Sequence, residues 1–174
     1  MQSFLSDRNL IAFRFSNGSI MMKDFIRSGS KYVLISMGLF SISLTQKCYC
    51  TPSHCADSIM AFLLGWAGMA SSAAAFSWLA NPLLIISWIL QKRNPRGSML
   101  LAMFAFLFTL SFLLFDTVLA NENGQQQAIT SYKPGYWLWV CSAGIMMLGG
   151  FVQVYRLNIE QQRSRIRAAG DSNR

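Results

Sequence analysis

"SIMAFLLGWAGMASSAAAFSWLANPLLIISWIL", residues 58–90, runs 33 positions without a charge. As one helix it would rise about 50 Å, against about 30 Å of hydrocarbon in a bilayer. Two full crossings need about 40 residues plus a turn. A single crossing is therefore predicted, long and tilted or broken. The break is expected at "WLANPLL". Pro82 has no N–H, so the carbonyl of Trp78 would lose its helical partner. Asn81, just before proline, is pushed away from helical angles. The run is apolar on every side rather than along one stripe, which suits lipid or a bundle interior.

Three further apolar runs surround it. "YVLISMGLFSISL" covers Tyr32–Leu44, a third run covers Ser98–Leu119 and a fourth Tyr136–Tyr155. Helices are predicted at about 31–50, 58–90, 98–119 and 136–155. The expected class is all-α: a polytopic membrane protein with a four-helix transmembrane bundle (31–155) and a long or Pro-broken second helix. Only 13% of residues are charged, about half the usual share, so no separate soluble domain is expected. Residues 1–30 read as a cytoplasmic segment, in which "FLSDRNLIAFRF" has the makings of a weak amphipathic helix. Met21 and Met22, ahead of "KDFIRSGSK", offer an internal translation start. The first run also has the form of a signal peptide with Lys23, Arg27 and Lys31 as its basic leader. No A-x-A site follows, and Lys47 before Cys48 does not suit a lipoprotein signal. A retained helix is expected.

Charge tests this layout. Thirteen Lys and Arg fall on the N-terminal segment, the 91–97 loop and the 156–174 tail, and only Lys47 and Lys133 on the other side. The positive-inside rule then places both termini in the cytoplasm of a bacterial inner membrane. Tyr136, Trp137 and Trp139 mark the outer edge of the fourth helix, and Tyr155 and Trp88 the inner edges. The same asymmetry accounts for the net charge of +8 without nucleic acid as a partner. The tail "RLNIEQQRSRIR" is expected to continue the fourth helix over anionic lipid.

"KCYCTPSHC" (47–55) would face an oxidising periplasm. A bridge from Cys48 or Cys50 to Cys55 closes a small loop around Thr51 and Pro52. Cys48, Cys50, Cys55 and His54 also offer soft-metal donors, although C-x-C-x4-H-C matches no standard zinc spacing. Asp57 is placed to cap the second helix. A lone Cys141 reads as a packing residue.

Ala61, Gly65, Gly68, Ser72 and Ala75 step by 4, 3, 4 and 3. They form a small-residue stripe at which another helix can pack closely, from this chain, a second copy or another membrane protein. Ala102, Ala105, Thr109, Phe112 and Asp116 step by 3, 4, 3 and 4 and should face the bundle. Asp116 is the only acid in a predicted span, about 27 Å along its helix. It suggests ion handling or a pair with Lys133 or Lys47. Asn81 beside Pro82 is an amide at mid-span, and broken helices at that depth can mark binding sites. No H-E-x-x-H, G-x-S-x-G or P-loop pattern appears, and a single histidine excludes bis-histidine haem.

The outline is similar to the DsbB family of disulfide-forming membrane proteins: four helices, inward termini, comparable length and cysteines in the first outer loop. That resemblance implies thiol–disulfide exchange at Cys48, Cys50 and Cys55 with quinone as cofactor; otherwise no cofactor is predicted. The family carries C-x-x-C and a second cysteine pair in the next loop. Here the first loop has C-x-C, and residues 120–135 contain no cysteine. No catalytic residue is therefore carried over. The pattern "LLGWAGM…FSWLANPLL…YWLWV" (58–155) resembles small bacterial inner-membrane proteins. Three functions are open: a non-enzymatic accessory or immunity-type factor acting by helix–helix association, a periplasm-facing thiol–disulfide oxidoreductase, and a small transporter.

Overall fold

A computed structural model describes residues 30–70, 73–119 and 126–172. The N-terminal amphipathic segment, the start at Met22 and Ser72 of the small-residue stripe lie outside the described residues. The chain is mostly helical. Three helical stretches, beginning at Ala73, Pro95 and Pro134, are long and apolar enough to cross a membrane.

Helix α1 spans Ser30–Leu44, about 22 Å. It ends six residues before the expected boundary. The Thr45 hydroxyl donates to Ile42 O (2.8 Å), and Thr45 N also bonds Ile42 O in a closing turn. Tyr49 and the cysteines then enter a sheet instead of extending the helix, so a mostly helical chain carries short strands that the all-α expectation did not include. Strand β1 (Lys47–Cys50) pairs antiparallel with β2 (Cys55–Asp57) and with β5 (Ser131–Tyr132). A ribbon of β3 (Thr117–Leu119) and β4 (Gln126–Ala128) sits at the same end. Pairing to β5, about 80 residues away, outweighs the local apolar pattern that favoured a helix.

The 58–90 run does not form one helix. Helix α2 covers only Ser58–Leu64. A 3₁₀ segment follows at Ala67–Ala70, and another at Ala73–Leu79 leads into α3, Ala80–Leu90. The break falls in "GWAGMA" (65–70), upstream of Pro82. Pro82 is the third residue of α3, in the first turn, where a missing N–H has little to lose. The chain folds back on itself: the Trp78 indole N–H donates to Phe62 O (2.7 Å). That carbonyl belongs to the last turn of α2, which has no helical partner of its own. Gly65 makes the fold-back possible, since a Cβ there would lie 2.5 Å from Trp78 Cδ1.

Helix α4 (Pro95–Ser111) starts with Pro95 in its first turn and Asn94 as N-cap, Oδ1 accepting from Gly97 N (3.0 Å). A 3₁₀ turn, Phe112–Leu114, ends it. The Thr109 and Ser111 hydroxyls bond back to Phe106 O and Phe108 O, a habit that loosens a helix end. Asp116 therefore lies beyond the helix, exposed in a bend before β3, rather than inside a span. Helix α5 (Pro134–Ser172) is continuous for 39 residues, about 58 Å, and carries the tail as expected.

The core is built on α4, which packs against α3 and α5. Phe40, Leu84, Ala102, Ala105, Ala143 and Met146 are buried together. The α4 stripe faces inward as predicted from Ala102 through Phe112. A Cβ on Gly149 would come within 2.5 Å of Tyr32 Cβ, and one on Gly150 within 3.0 Å of Met99 Cα. Close packing thus occurs along α4 and α5, and within the stripe of residues 61–75 at Gly65, against the Trp78 side chain. Buried polar residues join the helices. Ser36 Oγ donates to Ser142 O and Ser142 Oγ to Ser36 O, both at 2.9 Å, while Trp88 Nε1 donates to Ser36 Oγ (3.0 Å). Gln91 Nε2 donates to Gln153 Oε1, and Ser98 Oγ reaches Gln91 Oε1 (2.6 Å). Tyr136 OH donates to Thr109 O (2.9 Å).

Candidate functional site

The sheet end gathers most of the residues singled out by sequence. Cys50 and Cys55 are register partners across the β1–β2 hairpin and are joined by a disulfide. Thr51-Pro52-Ser53-His54 forms the tip. Thr51 N donates to His54 O (2.8 Å), and Ser53 Oγ reaches both His54 Nδ1 (3.0 Å) and Gln127 Oε1 (2.6 Å). Gln127 ties the hairpin to the β3–β4 ribbon. At the hairpin base Lys47 Nζ meets Asp57 Oδ1 at 2.6 Å. Asp57 does occupy the N-cap position of α2, but its side chain makes no cap hydrogen bond. Its carboxylate is turned to Lys47, the partner considered for Asp116.

Cys48 remains a free thiol. Strand register shifts between Lys47 and Tyr49, so Cys48 sits at a bulge in β1, which re-aims a side chain. Burial pushes its thiol up to about 11, with the neighbouring Ser58 hydroxyl pulling weakly the other way. At neutral pH it is a protonated, poor nucleophile. The Tyr132 hydroxyl is also raised, by burial first and then by the negative charge of Asp116.

Beneath the sheet lies a cavity of about 700 Å³ between α1, the folded-back 58–79 arm and the start of α5. Phe40, Cys48, Trp78, Asn81 and Trp139 line it. So do Ala61, Gly65, Gly68 and Ala75, so the small-residue stripe borders a void instead of meeting another backbone. Trp139 Nε1 is buried without a hydrogen-bond partner, and Ser58 Oγ has none but the Cys48 thiol beside it. Such groups are scarce in folded proteins. The space falls in the range of small-molecule pockets and is largely apolar.

Cys50 and Cys55 have spent their thiolates on each other, and among the described residues no three His, Cys, Asp or Glu side chains converge as ligands. Asn81 is buried at the second residue of α3, beside the cavity. Cys141 is exposed on α5 rather than packed inside. Sequence reasoning missed Ser58, Trp78 and Trp139 as cavity residues. A tryptophan within an apolar run was a usable signal, because its N–H needs an acceptor wherever it is buried. Comparisons with known families, curated proteins and solved structures find no match to this chain, so its function is inferred from its own residues.

Proposed function

We propose that this chain is a multi-pass inner-membrane protein with a four-helix bundle and both termini cytoplasmic. It acts by helix–helix association as a non-enzymatic accessory or immunity-type factor. One observation carries this reading. Apart from the Tyr136 phenol and the Cys48 thiol, the buried polar side chains among the described residues are Ser, Thr, Asn and Gln, with no Asp, Glu, Lys, Arg or His among them. Most within the helices bond to one another or to backbone, which suits a load of packing rather than a proton or ion path. Large apolar side chains meanwhile point outward, including Met60, Leu63, Leu64 and Trp66 on and after α2. In a bilayer they meet lipid or another helix. The test is particle size in a mild detergent. A complex heavier than one chain in its micelle is expected, and a lone chain under every mild condition would remove this reading.

A second reading is a thiol–disulfide oxidoreductase, with quinone as the oxidant. It is favoured by Cys48, which borders the cavity two residues before the Cys50–Cys55 bond. Cys55→Ser separates the two. Loss of thiol oxidation at normal protein levels supports the enzyme, whereas loss of folded protein marks the bond as a staple. The transporter reading keeps only Asn81, since Asp116 lies outside the helices.

A further inference from the structure

We infer that α5 pairs with the α5 of a second copy of this chain, parallel and in register, along the face that carries Cys141. This deepens the association reading, on which it rests, by naming the partner and the face. Leu138, Ile145, Val152, Ile159 and Ile166 repeat every seven residues, and Cys141, Leu148, Tyr155 and Gln162 follow three residues after the first four. Apolar positions recurring every 3.5 residues form the seam of a left-handed coiled coil. Four of the five in the first row are β-branched, the choice that favours two parallel strands.

The chain's own bundle covers this seam only in part: Leu138, Ile145 and Ile159 are half-buried. It buries the opposite side of α5, through Ser142, Ala143, Met146 and Gln153. Cys141, Leu148, Val152 and Tyr155 are exposed. Lipid would satisfy the first half of the row. Crossing hydrocarbon takes about 20 residues, and from Pro134 that carries the helix to the neighbourhood of Tyr155. The row continues beyond, through Ile159 to Ile166, which is 71% exposed. A single helix of that length is marginal in water, and its apolar row calls for cover.

A second copy fits that row without further adjustment. A shared topology gives every α5 the same direction and height, so parallel, in-register contact follows from insertion alone. In that register the flanking positions bring Phe151 beside Arg156 and Asn158 beside Arg163 across the two copies, so no arginine faces another arginine. The exposed Cys141 then lies at the seam facing its own equivalent.

The test uses the full chain in membranes, with Cys48→Ser so that Cys141 is the one free thiol, and oxidation by copper phenanthroline. A reductant-reversible species at twice the chain mass is expected, absent in Cys141→Ser. Ile159→Glu together with Ile166→Glu lies past Gln153, the last buried residue of α5 among those described, and should lower the dimer at least fivefold. Leu148→Cys in a Cys141→Ser background should cross-link, and Ile89→Cys, on the exposed face of α3, should not. Monomer alone, equal yield from Ile89→Cys, or no effect of the paired Ile substitutions would each overturn the seam. A heavy particle in mild detergent without Cys141 cross-linking overturns this face and leaves the association reading intact.

Discussion

The α3–α4–α5 bundle and the 58–79 arm are made of the same materials, small residues at helical spacing among large apolar ones, yet they end differently. In the bundle each small residue meets a neighbour: Gly149 meets Tyr32, Gly150 meets Met99, and Ala102 and Ala105 are fully buried. In the arm Ala61, Gly65, Gly68 and Ala75 border a cavity. Small side chains permit close approach but do not bring a partner. The bundle also has polar pairs at fixed heights, Ser36 with Ser142 and Gln91 with Gln153, which set where helices touch. Among the arm's described residues the side-chain tie that spans it is Trp78 to Phe62, and it binds the arm to itself.

Substitutions can break this contrast. Gly149→Leu should have the largest effect, because its side chain would enter the space of Tyr32 Cβ; a loss of about 3 kcal/mol or more is expected in an unfolding titration. Cys50→Ser opens a short loop at the sheet end and should cost about 2 kcal/mol by the same titration, with a matching loss on adding reductant to the native protein. Ser142→Ala removes one side of the Ser36 pair and should cost about 1 kcal/mol. Ala61→Leu, in the arm, should lie within about 0.5 kcal/mol of the native chain or stabilise it, since the cavity receives the added atoms. A cost there comparable to Gly149→Leu would erase the distinction.

Cys48 sharpens the contrast by pH. Its folded thiol sits near 11 against an ordinary value near 9, so the folded state holds the proton more tightly. The associated stability is fully present below pH 9 and is lost as pH rises through 11. Labelling of Cys48 by a small thiol reagent should be slow at neutral pH and climb about tenfold per pH unit toward that value. Rapid labelling at pH 7 would mean that the bulge leaves Cys48 open.

Legibility follows the same division. The extent of α5, the inward face of α4 from Ala102 to Phe112, and Cys50–Cys55 as one of two possible bridges could be read from local spacing and chemistry. The early end of α1 could not, because β1 pairs with β5 far along the chain and no local pattern encodes that register. Nor could the break at Gly65 rather than Pro82. Proline is tolerated in a first turn, and the fold-back depends on Trp78 finding Phe62. The cavity was hidden for the same reason. Its walls come from segments that composition joined into one long crossing, with its break expected at Pro82.

Helix α5 runs unbroken from Gly135, packed under Lys47 and Ser58 at the sheet end, to Ser172 in the basic tail. Along the bundle it is held at Gly149 and Gly150, then where Gln153 meets Gln91 and Asn158 meets Arg96, leaving about 21 Å of helix beyond Asn158. Such a rod is a lever whose last fixed point is Asn158. A tilt of about 10° there displaces the far end by about 4 Å. A change in what occupies the space beneath the sheet would therefore be felt as motion at the opposite end of the molecule, with no hinge along the way to absorb it.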